Sequence, residues 1–393
     1  MLSTRFSVIR TLAFAAAAVL IAACGPTGTQ VSDSGVAVDP NAPVRVALLV
    51  PLGSGDPGRE QIGRSLVNAA QLAQADLRNA TIDLGIYPDG GTTEGGSAAA
   101  SQAVAEGAKI IVGPLFSTAT AGAEPVAAAA GIKILSLSNN ATVASPTVYL
   151  LGNTFENTAD RLVAFGLSRG LRNFGVVYPA GLEGETARNA VTGAVQRRGG
   201  NLVAAEAYNL SVEGIAAAAG PAAAALASSG ADAIILTDGP TGGLAFISDA
   251  LRNNGVAPAQ GQFLGMQRWD VSAEAMAAPS LQGGVFAAPD PALIGAFEGR
   301  YRTAYGETPH ELAGLAYDGI AAVGALIAEA RSGGGSPFSD AALTQGSGFA
   351  GVNGAFRFLP GGMNERNLAM IEVRDGSAVV IERAARSFDA FGF

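Results

Sequence analysis

Hydrophobic positions along this chain switch repeatedly between two periods. Residues 44–50 (VRVALLV) form a continuous apolar run of strand length, as expected of a buried strand. Residues 61–77 then place Ile62, Leu66, Ala69, Ala70, Ala73 and Leu77 on one helical stripe. The rhythm continues with strands over 81–87, 109–112, 132–135 and 147–151 and helices over 97–106 and 118–130. Strand, helix and strand joined by short connections make βαβ crossovers, which demand parallel strands. A helix over 156–169 follows, and the pattern restarts. Strands are expected over 174–178, 201–207, 231–236, 262–266 and 284–287, with helices over 183–198, 212–228 and 243–253. Two further helices occupy 291–305 and 310–330, separated by a Gly-Glu-Thr-Pro break and followed by a linker over 331–337. The end differs in kind. Residues 354–358, 368–374 and 378–382 read as short antiparallel strands, with turns at 360–362 and at Asp375-Gly376. The class is α/β, with two sheets, and no repeat of solenoid period is present.

In open α/β sheets, ligands bind outside the carboxyl ends of the strands. The strand over 109–112 ends at Gly113-Pro114-Leu115-Phe116 and then Ser117, Thr118 and Thr120; its neighbour over 132–135 ends at Ser136, Ser138, Asn139, Asn140 and Thr142. These two loops, side by side, are the first candidate ligand site. Tyr178, Asp238, Gln267 and Trp269 follow strand ends in the second half and complete the candidate cleft. Asp318 sits mid-helix and reads as a structural hydrogen-bond acceptor at a domain junction. His310, the single histidine, reads as solvent-facing.

Composition narrows the chemistry. The 393 residues are 49% hydrophobic and 15% charged, ample for a large core and two domains. The net charge of −9 argues against nucleic acid, which needs a basic face. One histidine and one cysteine leave no zinc cluster and no Cys–His pair, and no GxSxG elbow accompanies His310. No catalytic residue, metal or cofactor is expected. The hexapeptide GSGDPG at 53–58 matches GxGxxG between a strand and a helix. However, Asp56 and Pro57 put a negative charge and a missing N–H where a pyrophosphate needs donors, so it reads as a loop at a cleft mouth.

The N-terminus carries Arg5 and Arg10, then an apolar run over 12–23 that meets Cys24. The run is too short to span a bilayer, which takes roughly 20 residues, and fits a signal sequence. Small residues before the only cysteine resemble a lipobox, which implies cleavage and lipidation at Cys24. Gly25 after it implies the periplasmic face of the outer membrane. Residues 25–42, rich in Gly, Pro, Ser, Thr and Asp, read as a tether.

From residue 44 onward the chain resembles the type I periplasmic binding proteins, in the leucine/isoleucine/valine-binding branch. The residues that carry the resemblance are VALLVPL at 46–52, IIVGPLFS at 110–117, GIKILSLS at 131–138, GETPHELAGLAYDG at 306–319 and GVNGAFRFLPGG at 351–362. It implies two lobes, each a mostly parallel sheet flanked by helices, joined by three crossovers around a cleft that closes by hinge motion. Lobe 1 is expected over 43–152 with about 285–345, and lobe 2 over 153–284 with about 346–393. Two functions compete within that fold. The preferred reading is a penicillin-binding protein activator-like lipoprotein that regulates peptidoglycan synthesis. It rests on GPLF at 113–116, the lipobox and the 153–160 stretch. The alternative is the solute-binding lipoprotein of an ABC importer, partnered by a permease and holding a small polar ligand such as an amino acid. The second-lobe features depart from transport members: Leu182-Glu183-Gly184 stands where a Tyr-Gly pair is common, and Gln267 where an ammonium-binding acid is common. Asp270 and Trp269 lie close enough in sequence to substitute.

Overall fold

The computed structural model describes residues 37–256 and 261–388. The signal-sequence, Cys24 and most of the tether calls lie outside the described residues. In the first lobe the strands are β1 (Val44–Val50), β2 (Ile82–Pro88), β3 (Ile110–Val112), β4 (Lys133–Ser136) and β5 (Val148–Leu150). They form a parallel sheet in the order β2-β1-β3-β4-β5. Helices α1 (Pro57–Asp76), α2 (Thr93–Ala105) and α3 (Ser117–Ala130) connect them.

The alternation of side chains along β1 builds both faces of this lobe. Val46, Leu48 and Val50 join one core with Leu66 of α1, whereas Ala47 and Leu49 join another with the alanines of α2 and α3. The second face is thin because α2 and α3 nearly touch. A methyl group on Gly96 would sit 2.0 Å from the Ala119 carbonyl oxygen, and one on Gly122 would sit 1.9 Å from that of Thr93. The GxGxxG segment is a helix entry: Asp56 Oδ1 accepts from the Arg59 N–H at 2.8 Å, and Pro57 occupies the first turn.

In the second lobe the strands are β6 (Asn173–Pro179), β7 (Asn201–Tyr208), β8 (Ala233–Leu236), β9 (Gln262–Gly265) and β10 (Val285–Ala288). Helices α4 (Phe155–Ser168), α5 (Leu182–Arg198), α6 (Val212–Ser228), α7 (Leu244–Asn253) and α8 (Ala273–Ala277) flank them. The chain then returns to the first lobe through α9 (Pro291–Tyr305), α10 (Ala313–Gly333), α11 (Asp340–Leu343) and the hairpin β11 (Phe356–Phe358) and β12 (Asn364–Arg366). Finally β13 (Ala369–Arg374) and β14 (Ser377–Glu382) add an antiparallel edge to the second sheet, whose order is β14-β13-β10-β9-β8-β6-β7. Asp375, at φ 51, and Gly376, at φ 74, make the tight turn between them.

The chain therefore passes between lobes three times, near residues 151–154, 289–290 and 367–368. Two expected boundaries move. Residues 285–288 are β10 of the second sheet rather than the start of the return. Residues 349–358 pack Phe349, Phe356 and Phe358 into the first-lobe core, with Phe358 edge-on to Tyr149 at 5.5 Å. The hairpin loop had read as lobe 2 because β12, with Asn364, Glu365 and Arg366, carries no apolar signal. The last residues of the tether are docked: the Pro40 carbonyl accepts from Arg331 Nε and Nη2 at 3.1 and 2.9 Å.

Candidate functional site

A cleft of about 960 Å³ lies between the lobes and is lined from both sheets. On the first-lobe side, Ile62, Leu115, Phe116 and Leu137 make an apolar wall, with Asn139 beside it. Phe116 is set by its neighbours. The Arg59 guanidinium lies 5.1 Å over its ring, and Gly91 is so close to the ring edge that a methyl group there would sit at 2.8 Å. Below it α3 starts without a side-chain cap.

Most of the predicted polar residues of this lobe hold the loops rather than line the cleft. Ser136 is fully buried, with Oγ 2.9 Å from Thr120 Oγ1 and donating to the Pro114 carbonyl at 3.2 Å. Ser138 Oγ accepts from the Asn140 N–H at 3.1 Å. Asn140 Oδ1 in turn accepts from the Thr142 N–H and Oγ1 at 3.0 and 2.8 Å. Ser117 is the first residue of α3, outside the lining. Of the predicted first-lobe set, Leu115, Phe116 and Asn139 reach the cleft.

The second-lobe wall is the loop after β8. Asp238 organises it: Oδ1 accepts from the Gly239 N–H at 2.8 Å, and Oδ2 accepts from Tyr208 Oη at 2.7 Å and the Gly243 N–H at 2.5 Å. Burial and this carboxylate push the Tyr208 phenol far above its ordinary value. Gly242 is required by the wrap, because a methyl group there would sit 2.0 Å from Asp238 Oδ1. Gln267 lies against Gly239 and lines the cleft. Trp269 does not: it is fully buried, packed at a tilt against Phe286 with ring centroids 5.7 Å apart, and wedged between Gly265 and Gly284. Asp270 is engaged by Arg268, which donates from Nε at 3.0 Å and Nη2 at 2.9 Å. Neither residue substitutes for an ammonium-binding acid. Tyr178 is buried under Arg188, 5.8 Å from its ring, and is outside the lining.

The crossovers supply the floor, through Asn153, Asn353 and Arg366. Arg366 is almost fully buried and pairs with Asp318 at 3.0 Å, while its Nη2 donates to the Leu151 carbonyl at 2.9 Å. Asp318 also accepts from the Val352 N–H at 2.6 Å and Asn353 Nδ2 at 3.2 Å. Burial pushes the Asp318 carboxyl up, and Arg366 with these donors pulls it back. Among the described residues, three that line the cleft carry a buried polar atom without a partner: Thr237 Oγ1, Asn153 Oδ1 and Arg366 Nε.

Sequence reasoning missed several lining residues. His310 was read as solvent-facing, but it is half-buried in the cleft wall, and its Nδ1 accepts from the Leu312 N–H at 3.2 Å. Glu183, Glu298 and Glu311 also line the cleft. The break at 306–309 was the available signal for the second group, since a loop between helices can reach a seam. Among the described residues, no group of His, Cys, Asp and Glu is arranged to hold a metal ion.

A sequence profile of the family described as periplasmic binding protein matches residues 43–378. No curated protein matches the chain at a significant level. Several solved structures share the fold. One is described as a putative branched-chain amino acid ABC transporter from Rhodospirillum rubrum, with TM-score 0.72 and 20% identity, over 86% of this chain and 100% of that one. An ABC transporter substrate-binding protein from Desulfitobacterium hafniense in complex with Leu aligns with TM-score 0.60 and 18% identity, over 86% and 100%. A solute-binding protein of an ABC transporter from R. palustris in complex with 4-hydroxybenzoate aligns with TM-score 0.58 and 16% identity, over 88% and 98%.

Proposed function

We propose that this chain, which belongs to the periplasmic binding protein family, is the solute-binding component of an ABC importer for amino acids or related small polar solutes. The observation that carries this reading is the cleft. Its volume of about 960 Å³ is within the range of small-molecule sites, roughly 300–1,000 Å³. It is lined at the carboxyl ends of both sheets, where α/β folds bind ligands. The walls are apolar on one side and polar on the other, and Thr237 and Asn153 hold buried polar atoms that nothing among the described residues satisfies. The family consists of periplasmic, typically non-enzymatic binding proteins.

The similar solved structures named above are described as an ABC transporter and as binding proteins of ABC transporters, which supports import over the activator-like regulation of cell-wall synthesis that the sequence favoured. The partner in this reading is an ABC permease, and a lipid on Cys24 tethers the chain to the periplasmic face of the outer membrane. A thermal-shift screen of the full chain in detergent tests the reading, using amino acids, amides, amines, aromatic acids and cell-wall fragments. Binding to the folded state raises the melting temperature by mass action. At least one small solute is expected to raise it. Silence across the small solutes, with a shift only on adding a cell-wall synthase, would restore the activator reading.

A further inference from the structure

The charges around the cleft name the class of solute. The lining holds two arginines, and each is neutralised by a carboxylate of its own: Arg268 by Asp270 and Arg366 by Asp318. The lining carboxylates outnumber them four to two: Glu298 and Glu311 lie within electrostatic reach of Arg268, which is already held by Asp270, and Glu183 and Asp238 have no arginine of their own in the lining. Asp238 is held by neutral donors, two backbone N–H groups and the Tyr208 hydroxyl. Glu298 pairs with Arg302 at 3.5 Å, in the adjacent helical turn, and also faces the Arg268 charge. Glu183 and Glu311 have no ion pair among the described residues. The acids come from both sides, Glu183 and Asp238 from the second lobe and Glu298 and Glu311 from the first. Four carboxylates against two arginines leave the lining net negative, which favours a cation there over an anion.

A second feature points the same way. Asn153 Oδ1 is an acceptor and nothing else, and Thr237, 3% exposed, offers an unpartnered hydroxyl. Both residues line the cleft and can accept from an N–H donor; the third unpartnered atom of the lining, Arg366 Nε, is a donor on a side chain whose charge Asp318 already balances. In the same lining, Ile62, Leu115, Phe116 and Leu137 accommodate an apolar body.

We infer that this cleft selects small amines that carry a net positive charge on an apolar body, and discriminates against carboxylates. The inference rests on the solute-binding reading and adds the charge of the solute.

Matched pairs isolate that charge. Thermal shift and calorimetry on the full chain would compare benzylamine with benzoate, and leucinamide with leucine, at slightly acidic pH in low and high salt. The amine of each pair is expected to bind, to outcompete its carboxylate partner by at least about tenfold, and to weaken in high salt. Glu311→Gln and Glu183→Gln, both at exposed positions, should each weaken the amine by roughly threefold, the scale of one partly screened charge pair. Equal or tighter binding of benzoate or leucine overturns the inference and leaves solute binding standing. No binding by any of the four probes overturns the inference too. Only silence across the whole screen above removes the solute-binding reading with it.

Discussion

Two buried carboxylates show how much single residues decide here. Asp318 and Arg366 are 0% and 1% exposed, and each satisfies the other at the seam where the chain crosses between lobes. Removing one partner strands a buried charge, which typically costs about 3–5 kcal/mol. Arg366→Met should therefore lower the stability measured by urea unfolding by about that much, and Arg366→Met combined with Asp318→Asn should recover part of it. Asp89 is different. Its Oδ1 accepts from the Gly91 N–H at 2.7 Å, but Oδ2 is buried with no partner. Burial raises its pKa to about 6 from 3.8, against the pull of the Gly91 N–H. The folded state thus binds a proton below about pH 6 that the unfolded chain takes up only near 3.8, so this group's contribution to stability falls as pH rises through that window. The difference is worth roughly 3 kcal/mol. Lowering the pH from 7 toward 4 should raise the unfolding midpoint relative to Asp89→Asn, in which this dependence is absent. A midpoint that runs parallel in the two proteins would refute the assignment.

At the scale of elements, most of the fold was legible because the apolar patterns are long and the breaks are sharp. The strand over 44–50 and the helix over 212–228 fall where the pattern places them. Leu115, Phe116, Asn139, Asp238 and Gln267 reach the cleft because strand-end loops must. The failures share a cause. Serines and asparagines at strand ends bond to backbone as readily as to ligands, and sequence does not say which, so Ser136, Ser138, Asn140 and Thr142 were expected in a cleft that they only support. Trp269 is expected in the cleft because it follows a strand end, but it fills the space left by Gly265 and Gly284, a partnership visible only once the strands pair. Arg366 sits in a segment without hydrophobic period, and His310 was expected to open a helix that starts only at Ala313, so the place of both depends on the return crossings of the chain. The loop after β8 is the element most open to test. Asp238→Ala removes three hydrogen bonds at once and should loosen the loop, so that backbone amides of Gly239 and Gly243 lose hydrogen-exchange protection while those of β1 keep theirs.

For the whole molecule, the two sheets are independent cores joined by three short crossings, which is the construction that permits hinge motion. The seam carries the buried pair Asp318–Arg366 and the unpartnered atoms of Asn153 and Thr237, so stability and binding meet in one place. The proposed anchor is tested apart from the cleft. Cys24→Ser should move the chain from the detergent phase to the aqueous phase in phase partitioning of cell extracts, without altering solute affinity. The central claim is that the cleft holds one small solute, and isothermal titration of the full chain with the solute that gives the largest thermal shift tests it most directly. The account predicts one site per chain, and an affinity lost at least about tenfold when Thr237→Val and Gln267→Ala are combined, since two polar contacts are removed. Heat without a defined stoichiometry, or an affinity indifferent to those substitutions, would contradict it.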